Sequence, residues 1–192
     1  MGTSIEHCVL YGGIKIQHCG DTVQVRSNVI LGKGKALDVD FQMGASTFVF
    51  ENNNIQSDEG VLIRGTSGNG AYGLQIIGNE FESTPTFTGG ENKVFVDING
   101  SSDGIARGTI IMRNSFQKPN AYGALDSIRI NYSDQAIIQD NVFGAGVGSS
   151  KDIVITPNAV GTVIGLNMWP WGNGTVIIDN GVGTARIATE KW

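Results

Sequence analysis

Long apolar runs are missing from this sequence. No stretch approaches the roughly 18–20 residues that a membrane-crossing helix needs. Two cysteines in 192 residues do not make a disulfide scaffold, and they leave the redox compartment open. Proline is scarce, at 4 residues, and charged residues make up only 16%. Lys and Arg number 13 against 18 Asp and Glu, so the net charge is −5, and no basic run offsets it. A nucleic acid or an anionic membrane surface would need such a run or stripe, so neither is expected as a partner. No window sustains apolar residues at i, i+3, i+4 and i+7 either, which argues against packed amphipathic helices.

What the chain does have is glycine, 28 residues of it, about twice the ordinary usage. It also has a repeat. A bulky apolar residue, two spacers, a turn residue, one spacer and a second bulky apolar residue recur seven times. The turn residues are Cys8, Asn28, Asn53, Asn79, Asn114, Asn141 and Asn167. Three positions before them stand Ile5, Val25, Phe50, Ile76, Ile111, Ile138 and Ile164. Two positions after them stand Leu10, Ile30, Ile55, Phe81, Phe116, Phe143 and Trp169. Turns are 20, 25, 26, 35, 27 and 26 residues apart, the mark of a solenoid with loops of variable length.

Alternation of apolar and polar residues around each turn predicts strands. A third strand is predicted in every repeat, at Ile14–Ile16, Leu37–Phe41, Val61–Ile63, Val94–Ile98, Ile128–Ile130, Ile153–Ile155 and Val176–Ile178. Three short strands per ~25 residues describe a parallel β-helix with three faces and about seven coils. At each corner the Asn is expected to take the left-handed backbone conformation, which it tolerates better than other non-glycine residues. Stacked about 4.8 Å apart, these side chains can bond amide to amide along a ladder, a rung of which Cys8 should lack. Residues 1–192 are expected to form one domain. Because Ile5-Glu6-His7-Cys8 is already in register with the repeat, that domain is expected to be a piece of a longer chain.

Corners such as Ile138-Gln139-Asp140-Asn141-Val142-Phe143 resemble those of the pectate-lyase-like right-handed parallel β-helix superfamily. The likeness runs along almost the whole chain. Irregular coil lengths and Gly-, Ser- and Thr-rich loops look most like the shaft of a bacteriophage tailspike. The resemblance implies an extracellular or virion protein, a homotrimer, and binding or cleavage of bacterial surface polysaccharide. A polysaccharide lyase or glycoside hydrolase of the same superfamily is one alternative, and a structural shaft without ligand is another. The superfamily's calcium-dependent lyases carry Asp-rich ligand sets that no motif here matches, so neither a metal nor another cofactor is expected.

Outward positions of the third strands should stack in columns. One is expected to read Gln17, Asp40, Arg64, Asp97, Asn131 and Thr156, and its neighbour Lys15, Asp38, Leu62, Phe95, Arg129 and Val154. Asp38 and Asp40 then stand about 6.5–7 Å apart on one strand, and Asp40 and Asp97 about 9–10 Å apart across two coils. Inverting glycosidases hold their carboxylates about 6.5–9.5 Å apart to admit a water, so these three are the catalytic candidates. The plainer reading is a solvated column in which Arg64 offsets two aspartates and keeps both ionised. Arg64, Arg129, Tyr132 and Trp171 are the candidates for contacting sugar, through charge or a flat ring. Trp169 falls in the inward column and is assigned to the core. His7-Cys8 and His18-Cys19 have the atoms for a zinc site but not the spacing, and their proximity is read as incidental.

Overall fold

The computed structural model describes residues 2–17, 22–41, 47–65, 71–83, 93–102, 105–118, 125–144, 150–169 and 177–187. Among these there is no helix. An eight-stranded parallel sheet collects the segments before the turn residues: Thr3–Glu6, Thr22–Arg26, Thr47–Glu51, Leu74–Ile77, Ile110–Met112, Ile137–Gln139, Val163–Ile164 and Ala185–Arg186. An eleven-stranded sheet collects the segments after the turns, including Val29–Phe41, Asn54–Gly65, Val94–Asn99, Asp126–Asn131, Ile153–Ile155 and Ile177–Asp179. A third, two-stranded sheet pairs Ala106–Arg107 with Ser133–Asp134. Each strand lies parallel to its counterpart in the next repeat, as Val25 does to Phe50 and Phe50 to Ile76. Intervals of 20 to 35 residues are long enough for the crossovers that parallel pairing requires. The chain is all-β, with parallel sheets consistent with a β-solenoid.

The sequence suggested separate second and third strands. In two repeats they are continuous, Val29–Phe41 over 13 residues and Asn54–Gly65 over 12. The register between them shifts between Gly32 and Lys35, where Gly34 takes a φ of 90°. A glycine there lets the strand bend without breaking, so the sheet curls.

The six inward residues Val25, Phe50, Ile76, Ile111, Ile138 and Ile164 are fully buried, as expected. Ile5 was expected to join them but is only half-buried, because it stacks on Val25 alone. A column of rings runs through the core. Phe81, Phe116, Phe143 and Trp169 stack at centroid spacings of 5.1, 5.2 and 5.3 Å, with neighbouring planes within 15°. Trp169 is 7% exposed, which bears out its assignment to the core.

The amide ladder is continuous from Asn28 to Asn167. Each Oδ1 from Asn53 onward accepts the backbone N–H and the Nδ2–H of the preceding asparagine, all at 2.9–3.0 Å. Each Nδ2 also donates to the carbonyl of an inward residue, as Asn114 does to Ile76 O at 2.9 Å. This second bond links the two recurring elements of the motif, the apolar residue and the asparagine. The Cys8 rung is not empty. It lacks the amide-to-amide bond, but Cys8 N–H still donates to Asn28 Oδ1 at 3.0 Å.

The corner chemistry differs from expectation. The left-handed residue is the one before the asparagine: His7, Ser27, Asn52, Arg113 and Asp140 at φ 55–56°, and Gly78 at 67°. The asparagine is selected for its amide, not its backbone. A second left-handed column, at Gly73, Gly108, Gln135, Gly161 and Gly183, precedes strands of the first sheet, and four of its five positions are glycine, which takes this conformation without strain.

Candidate functional site

On the third strands, inward and outward residues alternate over most of their length. Leu37, Val39 and Phe41 are buried, so Asp38 and Asp40 share the outer face as predicted. Asp40 is nonetheless only 6% exposed, which leaves it little access to a ligand. The outer columns differ from the expected ones at one strand. Asp97 pairs with Leu62 and Arg129, not with Arg64, and Asn99 takes the place between Arg64 and Asn131. One column therefore reads Gln17, Asp40, Arg64, Asn99, Asn131, and the other Lys15, Asp38, Leu62, Asp97, Arg129, Val154.

Phe95, two positions before Asp97, joins the core. Strict alternation would point it outward, yet it is fully buried and packs 5.7 Å from Phe81 and 6.2 Å from Phe116. A large apolar ring gains more from the core stack than the strand loses by breaking its alternation. Gly60 beside it makes the kink possible. A Cβ there would sit 2.1 Å from Phe95 O and 2.9 Å from the Phe81 ring.

Every acid whose contacts are resolved on this face has a cation beside it. Arg64 Nη2 donates to Asp38 Oδ1 at 2.6 Å, crossing from one column to the other. Arg129 lies 3.6 Å from Asp97 Oδ2 and 3.5 Å from Asp126 Oδ2. Glu59 is held by Lys93 and, at 3.9 Å, by Lys35. A shallow dent, open to solvent, is lined by Lys35, Glu59, Gly60, Val61, Leu62, Val94 and Asp97. Asn131 links three neighbours, accepting from Thr156 at 2.7 Å and Asn158 at 3.1 Å and donating to Asn99 at 2.9 Å.

The expectation that Arg64 keeps two carboxylates ionised does not hold for Asp97. Burial pushes its carboxyl up from 3.8 to about 6; Arg129 opposes this and Glu59 adds to it. Its Oδ1 is buried without a hydrogen-bond partner among the described residues, as suits a carboxyl whose charged form burial disfavours. A folded pKa above the unfolded one means that the native state binds more protons between pH 3.8 and about 6. This group's contribution to stability is complete below that window and lost as pH rises through it. Asp97→Asn removes the titration. Relative to wild type, the variant should gain up to about 3 kcal/mol between pH 4 and pH 7, two pKa units at about 1.4 each. Urea denaturation of both proteins at the two pH values measures this, and an unchanged difference counts against a proton on Asp97.

Tyr132 turns the corner directly after the face, half-buried and with a φ of 46°. Trp171, His18 and Cys19 lie outside the described residues, as do most of the loop at 83–90 and the centres of those at 64–73 and 144–150. Among the described residues no group of three or more His, Cys, Asp or Glu is placed to hold a metal ion. Glu59, Lys35, Lys93 and Asp126 belong to this face but were not legible in the sequence. They fall outside the apolar motif, and only the register brings them beside Asp97. No protein-family model, curated protein or solved structure matches the chain.

Proposed function

We propose that the chain is a right-handed, three-faced parallel β-helix of the pectate-lyase-like kind. In this reading it is an extracellular or virion module, as in phage tailspikes, that binds bacterial surface polysaccharide on the outer face bearing Asp38, Arg64, Asp97 and Arg129. The observation that carries the proposal is the pair of outer columns. They set guanidinium, carboxyl and amide groups side by side at a rung spacing of about 4.8 Å, a pattern of donors and acceptors suited to sugar hydroxyls. A glycan array of capsular and O-antigen polysaccharides tests it. Retention of one class is expected, and no retention of any polysaccharide would reduce the protein to a shaft.

Hydrolysis is a second reading, favoured by the different surroundings of two carboxyls. Asp38 is paired with Arg64 at 2.6 Å, whereas burial raises the Asp97 pKa from 3.8 to about 6. They stand two rungs apart in one column, about 9–10 Å by rung spacing, at the upper end of the range for an inverting acid and base. Release of reducing ends from a bound polysaccharide, abolished by Asp97→Asn, is the expected result of that reading.

The module self-associates as a homotrimer through the first sheet. Its outer face carries Ile77, Ile110, Met112, Ile137 and Val163, all half-buried, where the second sheet carries charge. Parallel sheets rarely leave an apolar face to water. Sedimentation at tens of micromolar should give the trimer, and a clean monomer removes the assembly.

A further inference from the structure

Lys118 is a large charged side chain that is 1% exposed, directly after the strand Ser115–Gln117. Its Nζ lies 3.2 Å from Asp152 Oδ1 and 3.5 Å from Lys151 O. The other carboxyl oxygen, Oδ2, accepts the indole N–H of the buried Trp169 at 3.0 Å. Asp126 Oδ1 accepts the Lys151 N–H at 2.9 Å and so fixes the chain that presents Asp152. An amine and a carboxyl group are thus held in contact by parts of the chain 34 residues apart, the amine fully buried and the carboxyl mostly so, beside the aromatic stack.

We propose that Lys118 and Asp152 form an intramolecular isopeptide bond. A buried ion pair can relax to its neutral form, because a low-dielectric surrounding penalises both charges. The proton passes from Nζ to Oδ1, leaving an amine and a carboxylic acid. The nitrogen lone pair attacks Cγ, and Oδ2 takes the negative charge against the Trp169 N–H, which acts as an oxyanion donor. The C–N bond then forms fully and the C–Oδ1 bond breaks. Oδ1 leaves as water with the acid proton and one proton from nitrogen, so no oxidant or co-reactant is needed. Burial holds the Lys118 ammonium below its ordinary range, against the pull of Asp152 and Asp126, which raises the share of nucleophilic amine. Fixed contact supplies the proximity that separate reactants lack. The product would tie neighbouring repeats together at the end of the ring column.

Intact-mass spectrometry of the full chain, folded at neutral pH and then denatured, is the test. The expected mass is one water below that of the sequence, with a proteolytic fragment in which the peptides of Lys118 and Asp152 are joined. Lys118→Arg should restore the full mass. The wild-type fragment decides the matter even where that variant does not fold. A wild-type chain of full mass after prolonged incubation overturns the proposal, as does a water loss that persists in Lys118→Arg.

Discussion

Phe116→Ala is expected to lower the unfolding free energy by about 3–5 kcal/mol, the range for truncating a buried aromatic ring. Phe116 is fully buried and stacked on both faces, 5.1 Å from Phe81 and 5.2 Å from Phe143, with Phe95 at 6.2 Å. Removing it opens a void in the middle of a continuous column. The rungs on either side cannot collapse to fill the void without breaking their own backbone pairing, so relaxation should recover little. Denaturant unfolding checks the size. A loss below about 1 kcal/mol would mean that this column is not the core.

Asn114→Leu should be nearly as severe, although it exchanges a polar residue for an apolar one of similar size. The Asn114 side chain receives Asn79 N–H and Asn79 Nδ2 on its oxygen and donates to Asn141 Oδ1 and Ile76 O. Leucine removes all four bonds in a site that is 1% exposed. The Asn79 N–H loses its acceptor, and each buried group left unsatisfied costs about 1–3 kcal/mol. The chain contains its own comparison at Cys8, where a rung without an amide still gives its N–H to Asn28. The same exchange at an interior rung leaves a donor stranded instead. Thermal melting of Asn114→Leu within a degree or two of wild type would contradict the ladder's role.

Much of the fold was readable because the motif is a hydrogen-bonding unit. An interior asparagine such as Asn114 bonds a neighbouring asparagine and the carbonyl of an inward apolar residue, so both had to recur at fixed spacing. The corner conformation was not readable from the asparagine. It falls on the preceding residue, which is His7, Ser27, Asn52, Gly78, Arg113 or Asp140, and shares no side-chain chemistry from one rung to the next. The site was legible in its faces, through alternation, but not in its register. Asp38 and Asp40 obeyed the alternation. Asp97 obeyed it too, between the buried Val96 and Ile98, but alternation does not fix register, and a two-residue offset moved Asp97 from the Arg64 column to the Leu62 column. That offset also changed the electrostatics, since a buried carboxyl beside Arg129 and Glu59 behaves differently from one stacked on Arg64.

Whether the outer face of the second sheet is the ligand surface can be met directly. Affinity for a polysaccharide retained on the array should be measured for wild type, Arg64→Gln, Arg129→Gln and Gln75→Ala. Gln75 points outward from the other sheet and serves as the control. Binding at least about tenfold weaker is expected for each arginine variant, roughly one charge-assisted hydrogen bond, with no change for Gln75→Ala. Equal affinity in all four proteins, or a loss confined to Gln75→Ala, would place the ligand elsewhere.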